Sequence, residues 1–139
     1  MLPIIDRNGN PDARAQRSRT TTVTQGYDNE RVVHTVTSST GSLTQNQKQV
    51  AREIYGDDVV LPTKSKIPSS NNTNSHHSEQ QGIRATNGQT GRVQASSSGA
   101  KHGGAACEPC SKAQKAANVK NVTGVQGKAG GQGRIYPKK

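Results

Sequence analysis

The 139-residue chain has no tryptophan and no phenylalanine, and with three tyrosines its aromatic content is 2%. Hydrophobic residues make up only 27% of it, near the floor for a globular core and, on composition alone, close to a disordered chain. These shortages exclude a large apolar interior, and at this length they leave room for one small domain with long polar loops. No apolar run approaches the roughly 18 residues of a membrane-spanning helix. Met1-Leu2-Pro3-Ile4-Ile5-Asp6 is too short an apolar stretch for a signal peptide and lacks its basic start, so export would require signals on a longer parent chain. The chain has two cysteines, and if both bind a metal none is left for a structural disulfide. A metal site would then contribute folding free energy that a thin core lacks.

Acidic residues are scarce in one half only. Residues 1–70 carry nine Lys and Arg against seven Asp and Glu, net +2, whereas residues 71–139 carry ten against two, net +8. A field of that sign gathers a polyanion and is hard to reconcile with a neutral nucleoside, so nucleic acid is the expected partner. From Lys128 onward the same charge would serve equally well as a solvated tail.

The two carboxylates of the basic half, Glu79 and Glu108, both lie inside motifs. His77-Ser78-Glu79 reads as H-x-E, and Cys107-Glu108-Pro109-Cys110 reads as C-x-x-C. Cysteines three apart at the start of a helix project from one face, and the free amides and dipole there favour thiolates, the form that binds zinc. His77 and Glu79, two apart, can reach one pocket only from a helix's first turn. One imidazole and two thiolates leave a fourth tetrahedral position open to water, whose pKa falls towards roughly 7 on zinc. Glu79, not needed as a ligand, is then free to move protons, and this is the residue set of a zinc-dependent nucleobase deaminase.

Blander readings exist for each half. A C-x-x-C is often a redox pair, but that use favours an apolar strand before the cysteines, and here Gly103-Gly104-Ala105-Ala106 precedes them. A closed structural zinc site would need His34, His76 or His102 as a fourth ligand beside His77, Cys107 and Cys110.

Around the motifs, the sequence predicts the order β-β-α-α-β-α-β. Val- and Thr-rich Thr20–Gln25 and Arg31–Ser38 read as a hairpin joined by Gly26–Glu30. Ser42-Leu43-Thr44-Gln45 resembles a capping box, and Leu43, Val50, Ala51, Ile54 and Tyr55 give a helical core face ending at Gly56. Thr63–Ser75 is a loop forming the rim of the pocket, and a second helix runs from His76 to Thr86, stopping at Asn87-Gly88. Val93, Ala95 and Ser97 alternate in a strand over Arg92–Ser98. A third helix spans Cys107–Asn118 with Cys110, Ala113 and Ala117 on one face. Val119–Gln126 follows as a strand, with a further short strand expected at Arg134-Ile135-Tyr136. This order suits an α/β (α+β mixed) fold, a central mixed sheet with flanking helices. Residues 1–18 read as a linker, 19–127 as the domain and 128–139 as a basic Gly-rich tail.

Ser75-His76-His77-Ser78-Glu79-Gln80-Gln81, Gly91–Ser98 and Cys107–Cys110 together resemble the cytidine-deaminase-like superfamily, specifically the deaminase domains of bacterial polymorphic toxins, of which the DddA-like DNA cytosine deaminases are the nearest group. The resemblance runs in element order from about Thr20 to Gly127 and is sharp at the two motifs. It implies a zinc site at the N-termini of two helices, ligated by His77, Cys107 and Cys110, with Glu79 as proton shuttle. It further implies hydrolytic conversion of cytosine to uracil in nucleic acid, with DNA favoured and RNA left open, by a monomeric domain of a secreted bacterial toxin. Such a domain would act in the recipient cell's cytoplasm and have a cognate immunity protein. One position departs from the family: Ala106 stands where Pro often precedes the first cysteine. His76, Arg84, Arg92, Lys101, His102 and Lys112 are the candidate nucleic-acid contacts, each of which would also serve as solvated surface. With few aromatics to stack an extruded base, Tyr27, Tyr55 and Tyr136 are the available faces. The alternatives are a non-enzymatic zinc-stabilised nucleic-acid-binding module and a free nucleoside, nucleotide or adenine deaminase.

Overall fold

The structure, a computed structural model, describes residues 20–70, 75–98, 105–126 and 134–135. The expected linker 1–18, Lys101, His102, Tyr136 and most of the basic tail lie outside the described residues.

Strands β1 (Thr20–Asp28) and β2 (Arg31–Ser38) form the expected antiparallel hairpin, with Val23 opposite Val36. Its turn is shorter than expected. Asp28 pairs with Arg31 across Asn29-Glu30 alone, and Asn29 takes a left-handed φ of 59°, which Asn tolerates better than most residues. Strand β3 (Thr90–Ser98) pairs antiparallel with the other edge of β1, and β4 (Lys120–Asn121) pairs parallel with β3. The result is a mixed four-stranded sheet in the order β2-β1-β3-β4. The strand expected over Val119–Gln126 shrinks to two residues because Asn121 turns the chain: its Oδ1 accepts from the Thr123 amide at 2.9 Å, and Gly124 follows with φ of 79°.

Three α-helices cover the sheet among the described residues: α1 (Gln45–Tyr55), α2 (Ser78–Ala85) and α3 (Glu108–Ala116). The chain is therefore mixed α/β, as the sequence predicted. Helix α1 is closed by a capping box, but two residues later than expected. Thr44 accepts from the Gln47 amide at 3.1 Å, and Gln47 Oε1 accepts from the Thr44 amide at 3.1 Å. Leu43 thus precedes the helix instead of lying on it.

Strand alternation sorts the side chains onto two unlike faces. On one face Val23 and Val36 pack with Leu43, Ala51 and Tyr55 in the apolar core, joined at its margin by Val50, Ile54, Val59, Leu61 and Ile135. The tail thus returns to the core at Ile135, although Arg134 and Ile135 form no strand. The opposite face is polar and equally dry, with Thr22, Thr24, Thr35, Thr37, Gln94 and Ser96 all buried. Burying such groups unpaired would cost several kcal/mol, roughly 1–3 per group. Here all but Thr35, whose buried Oγ1 has no hydrogen-bond partner among the described residues, pair with one another or with the helices. Gln94 Nε2 donates to Thr24 Oγ1 at 3.0 Å and to the Glu79 carbonyl at 2.9 Å, Gln114 Nε2 donates to Gln94 Oε1 at 2.8 Å, and Asn121 Nδ2 donates to Gln114 Oε1 at 3.1 Å. A hydrogen-bonded second core thus accompanies the small apolar one, which is how a chain of this composition folds.

Helix α2 lies directly on that polar face. A Cβ at Gly82 would come within 2.5 Å of Thr24 Oγ1 and 2.8 Å of Gln94 Nε2, so only glycine permits this approach. Helix α3 turns Cys110, Ser111 and Gln114 inward, whereas Ala113 and Ala117, expected at the contact, are half-buried. Gln114 wins the inward position through its bonds to Gln94 and Asn121.

Candidate metal centre

The two motifs meet where α2 and α3 begin side by side. His77 is the N-cap of α2 and Cys107 the N-cap of α3, and neither side chain caps its own helix. The main chain nonetheless closes both first turns, through Gln81 N to His77 O at 3.0 Å and Ser111 N to Cys107 O at 2.9 Å. Both side chains are thereby released to point at each other. Pro109 sits in the first turn of α3, where a missing N–H costs nothing.

His77 Nδ1 lies 3.2 Å from Cys110 Sγ and 3.4 Å from Cys107 Sγ, and the three ligand atoms all fall within 4.8 Å of one another. Zinc bonds of roughly 2.0–2.1 Å to nitrogen and 2.3 Å to sulfur set tetrahedral N–S edges near roughly 3.6 Å. The observed separations need to open by only a few tenths of an ångström, and Nδ1 is the nitrogen turned to the sulfurs. One His and two Cys therefore form a set that can hold a metal ion. Cys110 is fully buried and Cys107 half-buried. Burial, the neighbouring Glu79 carboxylate and Cys107 push the Cys110 thiol far up, so a bound cation is what would make that sulfur a thiolate. Gln80 Nε2 donates to the same sulfur at 3.8 Å. Burial, with a smaller contribution from His76, lowers the His77 pKa and keeps its ring neutral, as a ligand must be.

The approach to Cys107 is held by the preceding residue. Ala106 is buried in a parallel bridge to Val125, donating its N–H to Gly124 O at 2.9 Å and accepting from Gln126 N at 3.0 Å. Proline, which the toxin family often has at this position, would lose the first of these bonds, so Ala106 matches the local backbone pairing.

Glu79 stands in the first turn of α2 and is 5% exposed. Desolvation raises its pKa, against the opposing effects of a backbone hydrogen bond and of the Ser78 hydroxyl, which donates to Oε1 at 3.1 Å. It is close enough to Cys110 for its charge to act on the thiol. An imidazole and two sulfurs thus meet at two helix N-termini, with a nearly dry carboxylate in the first turn of one of them.

The remaining candidates have varied surroundings. His76 is exposed and edge-on to His77, with ring centroids 4.7 Å apart. Lys112 is exposed and pairs with Glu108 at 3.1 Å on the surface of α3. Arg84 Nε donates to the Pro68 carbonyl at 2.6 Å, pinning the loop before the site to α2. Arg92 has a structural occupation that the sequence did not suggest. Its Nη1 donates to Ile83 O at 3.0 Å and Thr86 Oγ1 at 3.2 Å, and its Nη2 donates to Ala117 O at 3.0 Å, so one guanidinium caps the C-terminal ends of both ligand-bearing helices. Lys101 and His102 lie outside the described residues. His34 does not join the metal set, because it is buried on the opposite face of the sheet, stacked on Tyr55 at 4.6 Å and bonded to Gln25. Tyr55, equally buried there, offers no face to a base, whereas Tyr27 is 40% exposed.

Comparison of the chain with protein families, curated proteins and solved structures finds no match. The chemistry of the site therefore rests on its own atoms.

Proposed function

We propose that this chain is a zinc-dependent deaminase of the cytidine-deaminase-like superfamily that converts cytosine to uracil in nucleic acid, DNA in preference to RNA. The observation that carries this reading is the buried Glu79 carboxylate, near enough for its charge to act on Cys110, beside the His77, Cys107 and Cys110 set where two helices start. A purely structural metal site has no use for a desolvated acid at its edge. Zinc held by His77 Nδ1 and the two sulfurs would supply a Lewis acid that makes water nucleophilic at neutral pH. Glu79 accepts the proton that the attacking water loses at C4, donates to the ring nitrogen, and transfers a proton to the departing amine, so cytosine and water give uracil and ammonia. Its raised pKa suits a group that must both take and give protons near neutrality. The positive field of residues 71–139 supports a polyanionic substrate. In keeping with the family resemblance, the chain is read as the toxin domain of a secreted bacterial effector, restrained by an immunity protein in the producing cell.

The test is to incubate the purified protein with single-stranded DNA, duplex DNA and RNA of mixed sequence and to sequence the products. C-to-U changes dependent on zinc are expected. Changes at adenine alone, or ammonia released from free cytidine with no polymer edited, would replace the substrate assignment.

A further inference from the structure

The residue between the metal ligand and the acid, Ser78, is gripped by a single row of the sheet. Thr22 lies in register with Thr37 on one side and Ser96 on the other. Thr37 Oγ1 donates to the Ser78 carbonyl at 2.7 Å. Thr22 Oγ1 lies 2.6 Å from Ser78 Oγ and 2.7 Å from Ser96 Oγ. Ser78 Oγ then donates to Glu79 Oε1. All five residues are buried, and Thr22 and Ser78 completely so.

Each hydroxyl has one proton to donate, which fixes the direction of the whole chain. With the Ser78 proton directed at the carboxylate, Thr22 must donate to Ser78, and Ser96 must in turn donate to Thr22. Three O–H dipoles therefore point the same way, toward Glu79, each polarising the next in a dry interior where such bonds strengthen one another. An apolar sheet face would bury as much surface but would leave the carboxylate without this aim. We infer that Ser96, Thr22 and Ser78 are positioning residues, a hydroxyl chain running from the sheet that orients the Glu79 carboxylate for proton transfer. The inference rests on the deaminase reading of Glu79, and it adds to that reading the reason why the second core is built of Thr and Ser.

The test compares Thr22→Val, which keeps the branched shape and removes the hydroxyl, with Thr22→Ser, which keeps the hydroxyl, both in the full zinc-loaded chain. Rates on the edited polymer are measured beside the 13C resonance of the Glu79 carboxyl, assigned by its loss in Glu79→Gln. Thr22→Val is expected to hold zinc at the wild-type ratio, to lose about 10- to 100-fold in kcat with little change in KM, and to shift and broaden the Glu79 resonance. Thr22→Ser should restore both. If Thr22→Val fails to fold, Ser96→Ala, which removes only the far end of the chain, carries the same comparison with a smaller loss. Wild-type rate and an unmoved resonance in a folded, zinc-loaded Thr22→Val or Ser96→Ala would overturn the inference. A resonance that moves in a chain with no deaminase activity on any polymer would instead retain the hydroxyl chain as an orienting device and remove the proposed function.

Discussion

His77 and Cys110, 33 residues apart in sequence and on different helices, bring Nδ1 and Sγ to 3.2 Å. The same nitrogen lies 3.4 Å from Cys107 Sγ, and while one S–H can donate well to it at a time, a tetrahedral cation would engage all three atoms at once. The protein should therefore bind about one zinc per chain. Cys110→Ser should abolish binding, as measured by metal analysis after dialysis. Because the apolar core lies between α1 and the other face of the sheet, away from the metal set, chelation should loosen α2 and α3 first. Hydrogen exchange should accelerate at Ser78–Ala85 and Glu108–Ala116 before it does at Val23 or Val36. Uniform acceleration would show that the metal holds the whole fold.

Zinc affinity should rise with pH. Burial holds the Cys110 thiol pKa well above its ordinary value, so around neutrality the metal-free protein keeps that proton, and binding must expel it. One proton released means an apparent affinity that rises about tenfold per pH unit, and each further proton adds another factor of ten. His77 works in the other direction. Its lowered pKa keeps it neutral to more acidic pH, so it adds no competing proton near neutrality. Calorimetric titration in two buffers of different ionisation enthalpy counts the protons, and a pH-independent affinity between pH 6 and 8 would contradict the burial of Cys110.

Glu79→Ala should separate chemistry from metal binding. Zinc content should be retained, since the ligand atoms belong to His77, Cys107 and Cys110. Activity should fall by about 100- to 10,000-fold, towards the upper end because one carboxylate serves several transfers. His77→Ala should lose metal and activity together. X-ray absorption showing four protein ligands, or a Glu79→Ala variant with the parental rate, would move the site to the structural class.

The hairpin, α1 and the metal set were legible in the sequence because their signals are local. Val and Thr alternate in Arg31–Ser38, apolar residues recur at helical spacing before Gly56, and the H-x-E and C-x-x-C spacings carry ligand geometry in themselves. The buried polar residues, on both faces of the sheet, were not legible. Gln47, Gln94 and Gln114 look like surface residues until partners far away in sequence satisfy them, as when Gln47 Nε2 reaches Thr21 Oγ1 at 2.9 Å. The same bond explains the displaced capping box, because Gln47 can close the helix and bridge to β1 only if Thr44, not Ser42, is the N-cap. Strand β4 was overestimated because Val119, Val122 and Val125 suggest extension, whereas the Asn121 side chain ends it.

Arg92 provides the last test, because its two roles predict opposite results for a conservative change. A phosphate contact tolerates lysine, which keeps the charge, whereas a fork that spans Ile83, Thr86 and Ala117 does not, because one ammonium cannot reach carbonyls at the ends of two helices. Removing these charge-assisted bonds in a half-buried position should cost about 1–3 kcal/mol. Arg92→Lys is therefore expected to unfold at lower denaturant concentration with an unchanged m-value. In a Glu79→Ala background its salt dependence of nucleic-acid binding should match that of the parent, because the charge at this position is not what meets the polymer. A variant of parental stability whose log-log salt slope falls by about 0.7–0.9, the share of one neutralised phosphate, would return Arg92 to the binding surface.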